Sequence, residues 1–207
     1  MPTLDASTIN SPAVPSPLDA PIPFTLFIDP YAKTKTERNQ SLRQLADGIS
    51  EPNVDADVPA DADADTRKKI IDAAKVELPL LKLATFGSKI SEKGAIRNND
   101  NVLSISGVEG DYDGKKVSPE TAVALLEDVD LAAVVYTTPS HTDAEPKWRV
   151  LCPLSRPHKP SEREALVARL NGALGGVLAG ESFALSQGFF YGKINRNPVH
   201  RVLLTEG

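Results

Sequence analysis

Cysteine, long apolar runs and a strong surplus of positive charge are all missing from this chain of 207 residues. The single cysteine, Cys152, excludes an internal disulfide framework and any zinc site made of cysteines alone. It sits in the apolar run Val150-Leu151-Cys152, where a buried thiol in a reducing compartment is expected. No apolar stretch approaches the roughly 20 residues that cross a bilayer. The N-terminal MPTLDASTINSPAVPSP has no basic start followed by an apolar segment. A soluble, cytoplasmic protein with no membrane partner is the expectation. The length suits one good core with at most a small second subdomain.

The net charge of −5 argues against a nucleic-acid partner until its distribution is considered. Residues 51–65 carry six acids, Glu51, Asp55, Asp57, Asp61, Asp63 and Asp65, and no base. From Thr66 onward 19 Lys or Arg face 17 Asp or Glu, a balance of 19 − 17 = +2, so the body is mildly basic and permits phosphate binding.

Residues 1–23 are rich in Pro, Ser, Ala and Thr and read as a disordered arm. Phe24–Ile28 reads as a short strand closed at Asp29-Pro30, and Leu42, Leu45 and Ile49 give 37–49 the spacing of a helix. The acidic, repetitive segment 51–65 reads as a flexible insert, and helical character resumes over 66–76. Together 24–100 form flanking elements, followed by a core over 101–200, the whole of 24–200 making one compact unit.

The core begins with an alternating run, Val102, Leu103, Ile105 and Val108, that ends in acids and a turn at Asp113-Gly114. Ser118-Pro119-Glu120 supplies a cap, a proline at the first helical position and an acid in the first turn, predicting a helix over Pro119–Glu127. Leu131–Thr138 reads as a buried strand. Lys147–Leu151 follows as its hairpin partner, with Lys147 and Arg149 on one face and Trp148 and Val150 on the other. Ser161–Glu164 opens a helix over 162–174 that Gly175-Gly176 ends, and Gly188–Ile194 has strand composition. The order βαββαβ predicts an α+β, RRM-like core: a four-stranded antiparallel sheet with both helices on one face and the other left open. In such a sheet the first and third strands are neighbours, so Asp111 and Asp113 face the strand of Lys147 and Arg149.

Strand side chains alternate, so Asp111 and Asp113 project from one side. Two carboxylates this close repel unless a cation lies between them, and hard divalent ions such as Mg²⁺ or Mn²⁺ take oxygen ligands. Such a pair is also common as solvated acids at a strand end. Lys89, Lys93 and Arg97 lie close together in the polar loop 87–100, and Arg196 lies in a basic tail; all four are candidates for nucleic-acid contact or simple solvation.

The combination of GDYDG, then TTPSHT about thirty residues on, WRVLCPLSR, and later ESFALSQGFFYG resembles the archaeo-eukaryotic primase superfamily, in particular phage- and plasmid-type primase-polymerase domains, over roughly Phe86 to Ile194. That resemblance implies an RRM-like active site in which Asp111 and Asp113 are the first two metal ligands and His141, after Ser140, touches nucleotide phosphates. Glu181 is the candidate third acid, although the family usually has Asp there. It implies nucleoside triphosphates as substrates, a single-stranded DNA template, Mg²⁺ or Mn²⁺ as cofactor, and a replicative helicase as a partner. Nucleotidyl transfer suits these residue types, because paired carboxylates hold the two ions that clamp attacking and leaving oxygens. Fixed donors, here Ser140, His141, Lys147 and Arg149, would meet the triphosphate. Two rivals stay open: a non-catalytic RRM-like nucleic-acid binder, and a replication initiator or relaxase, for which this chain lacks a His-x-His pair.

Overall fold

The computed structural model describes residues 15–29 and 31–207. In chain order the elements are strand β1 (Pro21–Phe27), β2 (Thr36–Ser41), helix α1 (Leu42–Gly48), β3 (Asn53–Val54), α2 (Ala64–Ala74), β4 (Leu80–Lys82), β5 (Ala84–Phe86) and β6 (Val102–Tyr112). There follow α3 (Pro119–Glu127), β7 (Ala133–Thr137), β8 (Trp148–His158), α4 (Arg163–Ala173), β9 (Phe189–Phe190), β10 (Lys193–Ile194) and β11 (Val202–Thr205). Among these residues no helix is long and apolar enough to cross a membrane.

The α+β class and the antiparallel core are as expected. A five-stranded sheet runs in the order β11-β7-β8-β6-β5, with β6 and β8 as central neighbours in antiparallel register, Asp111 opposite Arg149 and Tyr112 opposite Trp148. Ser118 caps α3 by accepting the Thr121 N–H at 3.1 Å, and Pro119 takes the first turn. Helices α3 and α4 cover one face, where Ala122, Leu126, Val167 and Leu170 bury against Val108, Val135, Val150 and Cys152. Tyr112 and Trp148 stack there with ring centroids 4.7 Å apart.

The opposite face is not left open. A second sheet, β2-β1-β4-β9, packs over it with α1, and Phe24, Leu42, Leu45, Ile49 and Leu81 bury against Val134, Tyr136 and Leu151. The reason is visible in β7, whose AVVYT is apolar on both faces and so must be covered on both. The strand expected at Gly188–Ile194 is split: β9 pairs with β4 in this second sheet, while β10 pairs in parallel with β3 in a separate two-stranded one. Its place beside β6 is taken by β5, and β11 adds beyond β7. The chain passes between the layers at Leu83, whose carbonyl accepts from the Ser106 and Gly107 N–H groups. A Cβ at Gly107 would lie 2.4 Å from the Leu83 side chain and 2.7 Å from the Cys152 carbonyl, so this crossing needs glycine.

Two flanking readings change. The helix expected over 37–49 is strand β2 followed by α1, with a capping box at Ser41 and Gln44 marking the junction. Within the expected arm 1–23, residues 1–14 lie outside the described residues. Residues 15–23 are structured, with Leu18 fully buried and Ile22 in the core. The acidic segment 51–65 contributes β3 to the pair with β10.

Candidate active site

The end of β6, the start of β8 and the turn 138–147 converge at one rim of the two layers. Alternation along β6 puts Glu109, Asp111 and Asp113 on the face that meets the second sheet, and each carboxylate finds a cation. Asp113, outside the strand and exposed, pairs with Lys147 at 3.2 Å. Asp111, 5 % exposed, takes the Arg149 Nε at 2.5 Å. Arg149 also donates to the Phe190 carbonyl and lies 5.3 Å from the centre of the Phe189 ring, so it ties β6 and β8 to β9. Its charge is spent inside the fold. Arg149 is placed as a structural counter-ion to Asp111, whereas Lys147, itself buried, reaches out to the exposed carboxylate of Asp113.

Glu109 was not legible as a site residue and turns out to be the most deeply bonded of the three. It is fully buried, 2.7 Å from the Lys82 ammonium on β4 and 3.0 Å from the Arg163 guanidinium on α4, and it accepts the Leu83 N–H. Burial pushes its acidity down, but the two cations outweigh that and hold its carboxyl below the usual range. Burial lowers Lys82 to about 8. Arg163 further donates to the Ser182 carbonyl at 2.6 Å, and the Ser182 hydroxyl accepts the Asp111 N–H at 2.9 Å. A chain of bonds thus runs from the second sheet through Glu109 and α4 to the backbone of Asp111. The signal for it was present: Lys82 is the one charge in the apolar run LPLLKLATF, and a buried lysine requires a partner.

His141 is 1 % exposed. Its Nδ1 accepts the Lys147 N–H at 3.1 Å, which leaves the proton on Nε2 in the neutral ring. Among the described residues Nε2 has no hydrogen-bond partner. The Asp143 carboxylate lies 3.9 Å away and is held at 2.8 Å by Arg201, which also reaches Glu120 at 3.5 Å. Burial first, then the Arg201 charge, lowers the His141 pKa. The Ser140 hydroxyl lies 3.4 Å from the Thr138 hydroxyl. His200, bonded through Nδ1 to the Thr137 hydroxyl at 3.2 Å, is pushed by burial and then by Lys193 down to about 4.

That shift makes a prediction. A histidine whose folded pKa lies below its unfolded value near 6.5 supports the fold above that pH, and the support is lost as pH falls toward the folded value. Between pH 7.5 and 5 the urea midpoint is expected to fall by the equivalent of about 1–2 kcal/mol, allowing for partial exposure. His200→Asn should flatten most of this slope; an unchanged slope in that variant would remove His200 as its source.

The other candidates are dispersed. Glu181 is exposed on the 3-10 turn Gly180–Phe183, which packs along the end of β6 with the Ala179 N–H on the Asp111 carbonyl at 2.8 Å. Among the described residues no three His, Cys, Asp or Glu side chains gather to hold an ion, so Glu181 does not join the two aspartates in a ready-made cage. Lys89 pairs with Asp100 at 3.1 Å beside the start of β6, roughly 30 Å along the strand from Asp111. Lys93 is exposed in the same loop. The loop leaves at the far end of β6 from its acidic end, so it does not place Lys89 or Lys93 against the aspartates. Arg97 turns inward to the Ser186 carbonyl at 3.3 Å. Arg196 is exposed in a left-handed backbone position at φ 53°. The Cys152 thiol, pushed by burial to about 12, is not a nucleophile.

Residues 86–181 match the family described as the VapE N-terminal domain. That segment holds both aspartates, His141, Lys147, Arg149 and Glu181. The motifs GDYDG, TTPSHT and WRVLCPLSR all lie inside the matched segment. Two solved structures are similar in outline. The primase-polymerase AEP domain of cyanophage S-2L is 9 % identical with a TM-score of 0.44, covering 90 % of this chain and 81 % of that one. The polymerase domain of ligase D from Mycobacterium tuberculosis, in complex with DNA, is 14 % identical with a TM-score of 0.37, covering 84 % and 69 %. No curated protein matches the chain.

Proposed function

We propose that this chain is the catalytic domain of a DNA primase or primase-polymerase, joining nucleoside triphosphates on a single-stranded DNA template with Mg²⁺ or Mn²⁺. The observation that carries the reading is the pairing of Asp111 on β6 with Arg149 on β8, and of Asp113 just after β6 with Lys147 just before β8, at the rim between two sheets. The match of 86–181 to a primase-associated family supports it.

The donor chemistry suits a divalent ion. Asp111 and Asp113 are hard oxygen ligands two residues apart, and each is now neutralised by a side-chain cation, the role an ion would take. These two aspartates would hold it, with Glu181, the acid that the motif resemblance offers, as the candidate to complete the set. The bound ion would supply charge stabilisation for the attacking and leaving oxygens. The protein's own share is positional. The Glu109 network and the Ser182 hydroxyl hold the Asp111 backbone, Arg149 holds its carboxylate, and Lys147 offers an ammonium to an incoming phosphate. For His141 to meet a phosphate through Nε2, the Arg201–Asp143 contact over it must open.

The test is template-directed synthesis: the chain incubated with single-stranded DNA, nucleoside triphosphates and Mn²⁺ should give products whose composition follows the template. Failure to incorporate either ribo- or deoxyribonucleotides, with or without a primer, would reject the reading. The ion pairs that cover both aspartates favour a second one, a non-catalytic nucleic-acid binder. Template binding with no metal dependence and no product would establish it.

A further inference from the structure

The reading of Asp111 and Asp113 as metal ligands leaves open how an ion reaches carboxylates that are already neutralised, and the surrounding charges answer this. The rim pairs and the Glu109 network behind them hold four cations, Lys82, Lys147, Arg149 and Arg163, against three anions, Glu109, Asp111 and Asp113, a balance of 4 − 3 = +1. A free divalent cation therefore meets two carboxylates that are each already paired, whereas a polyphosphate would find in Lys147 an ammonium whose present partner is solvated.

The two ion pairs differ in how easily they exchange. Arg149 is held by Asp111, by the Phe190 carbonyl and by the Phe189 ring, and both partners are nearly buried, with side chains 13 % and 7 % exposed. Lys147, with its side chain 11 % exposed, has among the described residues one ionic partner, Asp113, whose side chain is 61 % exposed. Asp113 is thus already solvated when it gives up its partner, whereas Asp111 is not. We propose that Lys147 is an internal stand-in for the metal at Asp113, so that a divalent ion enters only together with a polyphosphate, which takes over the Lys147 ammonium as the ion takes the carboxylate. This rests on the metal-ligand reading above and adds to it an order of binding and a coupling between the two ligands.

Calorimetric titration of the full chain tests it with three probes: free Mn²⁺, metal-free tripolyphosphate in EDTA, and the preformed Mn²⁺–tripolyphosphate complex. Wild type should bind the complex at least about tenfold more tightly than free Mn²⁺. Lys147→Met should raise affinity for free Mn²⁺ about tenfold and lower affinity for metal-free tripolyphosphate by a similar factor. Opposite signs cannot come from damage to the fold, and Lys147→Gln should repeat them. The gain for Mn²⁺ should vanish in Lys147→Met/Asp113→Asn. Unchanged Mn²⁺ affinity in both Lys147 variants, changes of the same sign for both probes, or a gain that survives Asp113→Asn would overturn the proposal. These signatures without templated product would instead reject the polymerase reading alone.

Discussion

Replacing Glu109 by alanine is expected to cost about 3–5 kcal/mol of folding stability, because it strands two buried cations. Lys82 and Arg163 are 0 % and 1 % exposed and share this one carboxylate, which also takes the Leu83 N–H where the chain crosses between the two sheets. Removing the acid leaves uncompensated charge in the interior and an unbonded backbone donor at that crossing. Glu109→Gln keeps an acceptor and should lose less. Substituting all three together, as Lys82→Met/Glu109→Leu/Arg163→Met, should recover much of the loss, since it is the unpaired charge that destabilises. Urea midpoints at pH 7 followed by circular dichroism measure each step. A Glu109→Ala midpoint equal to that of wild type would show that the network is solvated and does not brace β6.

The two aspartates are expected to separate catalysis from stability. Asp113 is exposed on its side-chain oxygens and pairs only with Lys147, so Asp113→Asn should leave the urea midpoint within about 0.5 kcal/mol of wild type. It should nevertheless reduce templated incorporation on the order of 10³-fold, the effect of losing about 4 kcal/mol of charge stabilisation in the transition state. Asp111→Asn should lose both, because it removes the charged partner of a largely buried guanidinium. Steady-state incorporation and denaturation on the same preparations check the contrast. Equal activity in Asp113→Asn and wild type would remove Asp113 from the chemistry, and equal stability in Asp111→Asn would remove the Arg149 pair from the fold.

Local patterns carried much of the core. The cap at Ser118 and the proline after it defined α3 over Pro119–Glu127. The alternation in Lys147–Leu151 assigned Trp148 and Val150 to the helix side and Arg149 to the side of Asp111. Pairing between distant segments was not legible. Thr36–Ser41 is polar, TERNQS, and is a strand because it lies along β1 at an edge; its own residues show no alternation of burial. Phe189–Phe190 has strand composition, but nothing within it says that its partner is Leu80-Leu81 in a different layer from β6. The covered second face follows from the same gap: β7 reads as buried on both sides, yet the elements that bury it come from residues 18–83.

The site divides along the same line. Asp111, Asp113, Lys147 and Arg149 were readable because a strand register and an alternation of two place them together. Glu109 shares their face and their spacing, but its role depends on Lys82 and Arg163, 27 residues before it and 54 after. The histidine turn was readable as a turn, while the burial of His141 under Asp143 and Arg201 depends on β11, a strand beyond the expected core. Glu181 was placed by resemblance, and only its backbone turn is fastened to Asp111.

The most direct measurement is a crystal grown with Mn²⁺ and a nucleoside triphosphate, with the ion located by its anomalous scattering at the manganese edge. The account predicts a peak within coordination distance of both Asp111 and Asp113, about 2.0–2.2 Å from their oxygens, with the Lys147 ammonium moved from Asp113 onto a phosphate oxygen. An ion bound elsewhere, or a nucleotide seated while both carboxylates keep their present partners, would contradict it.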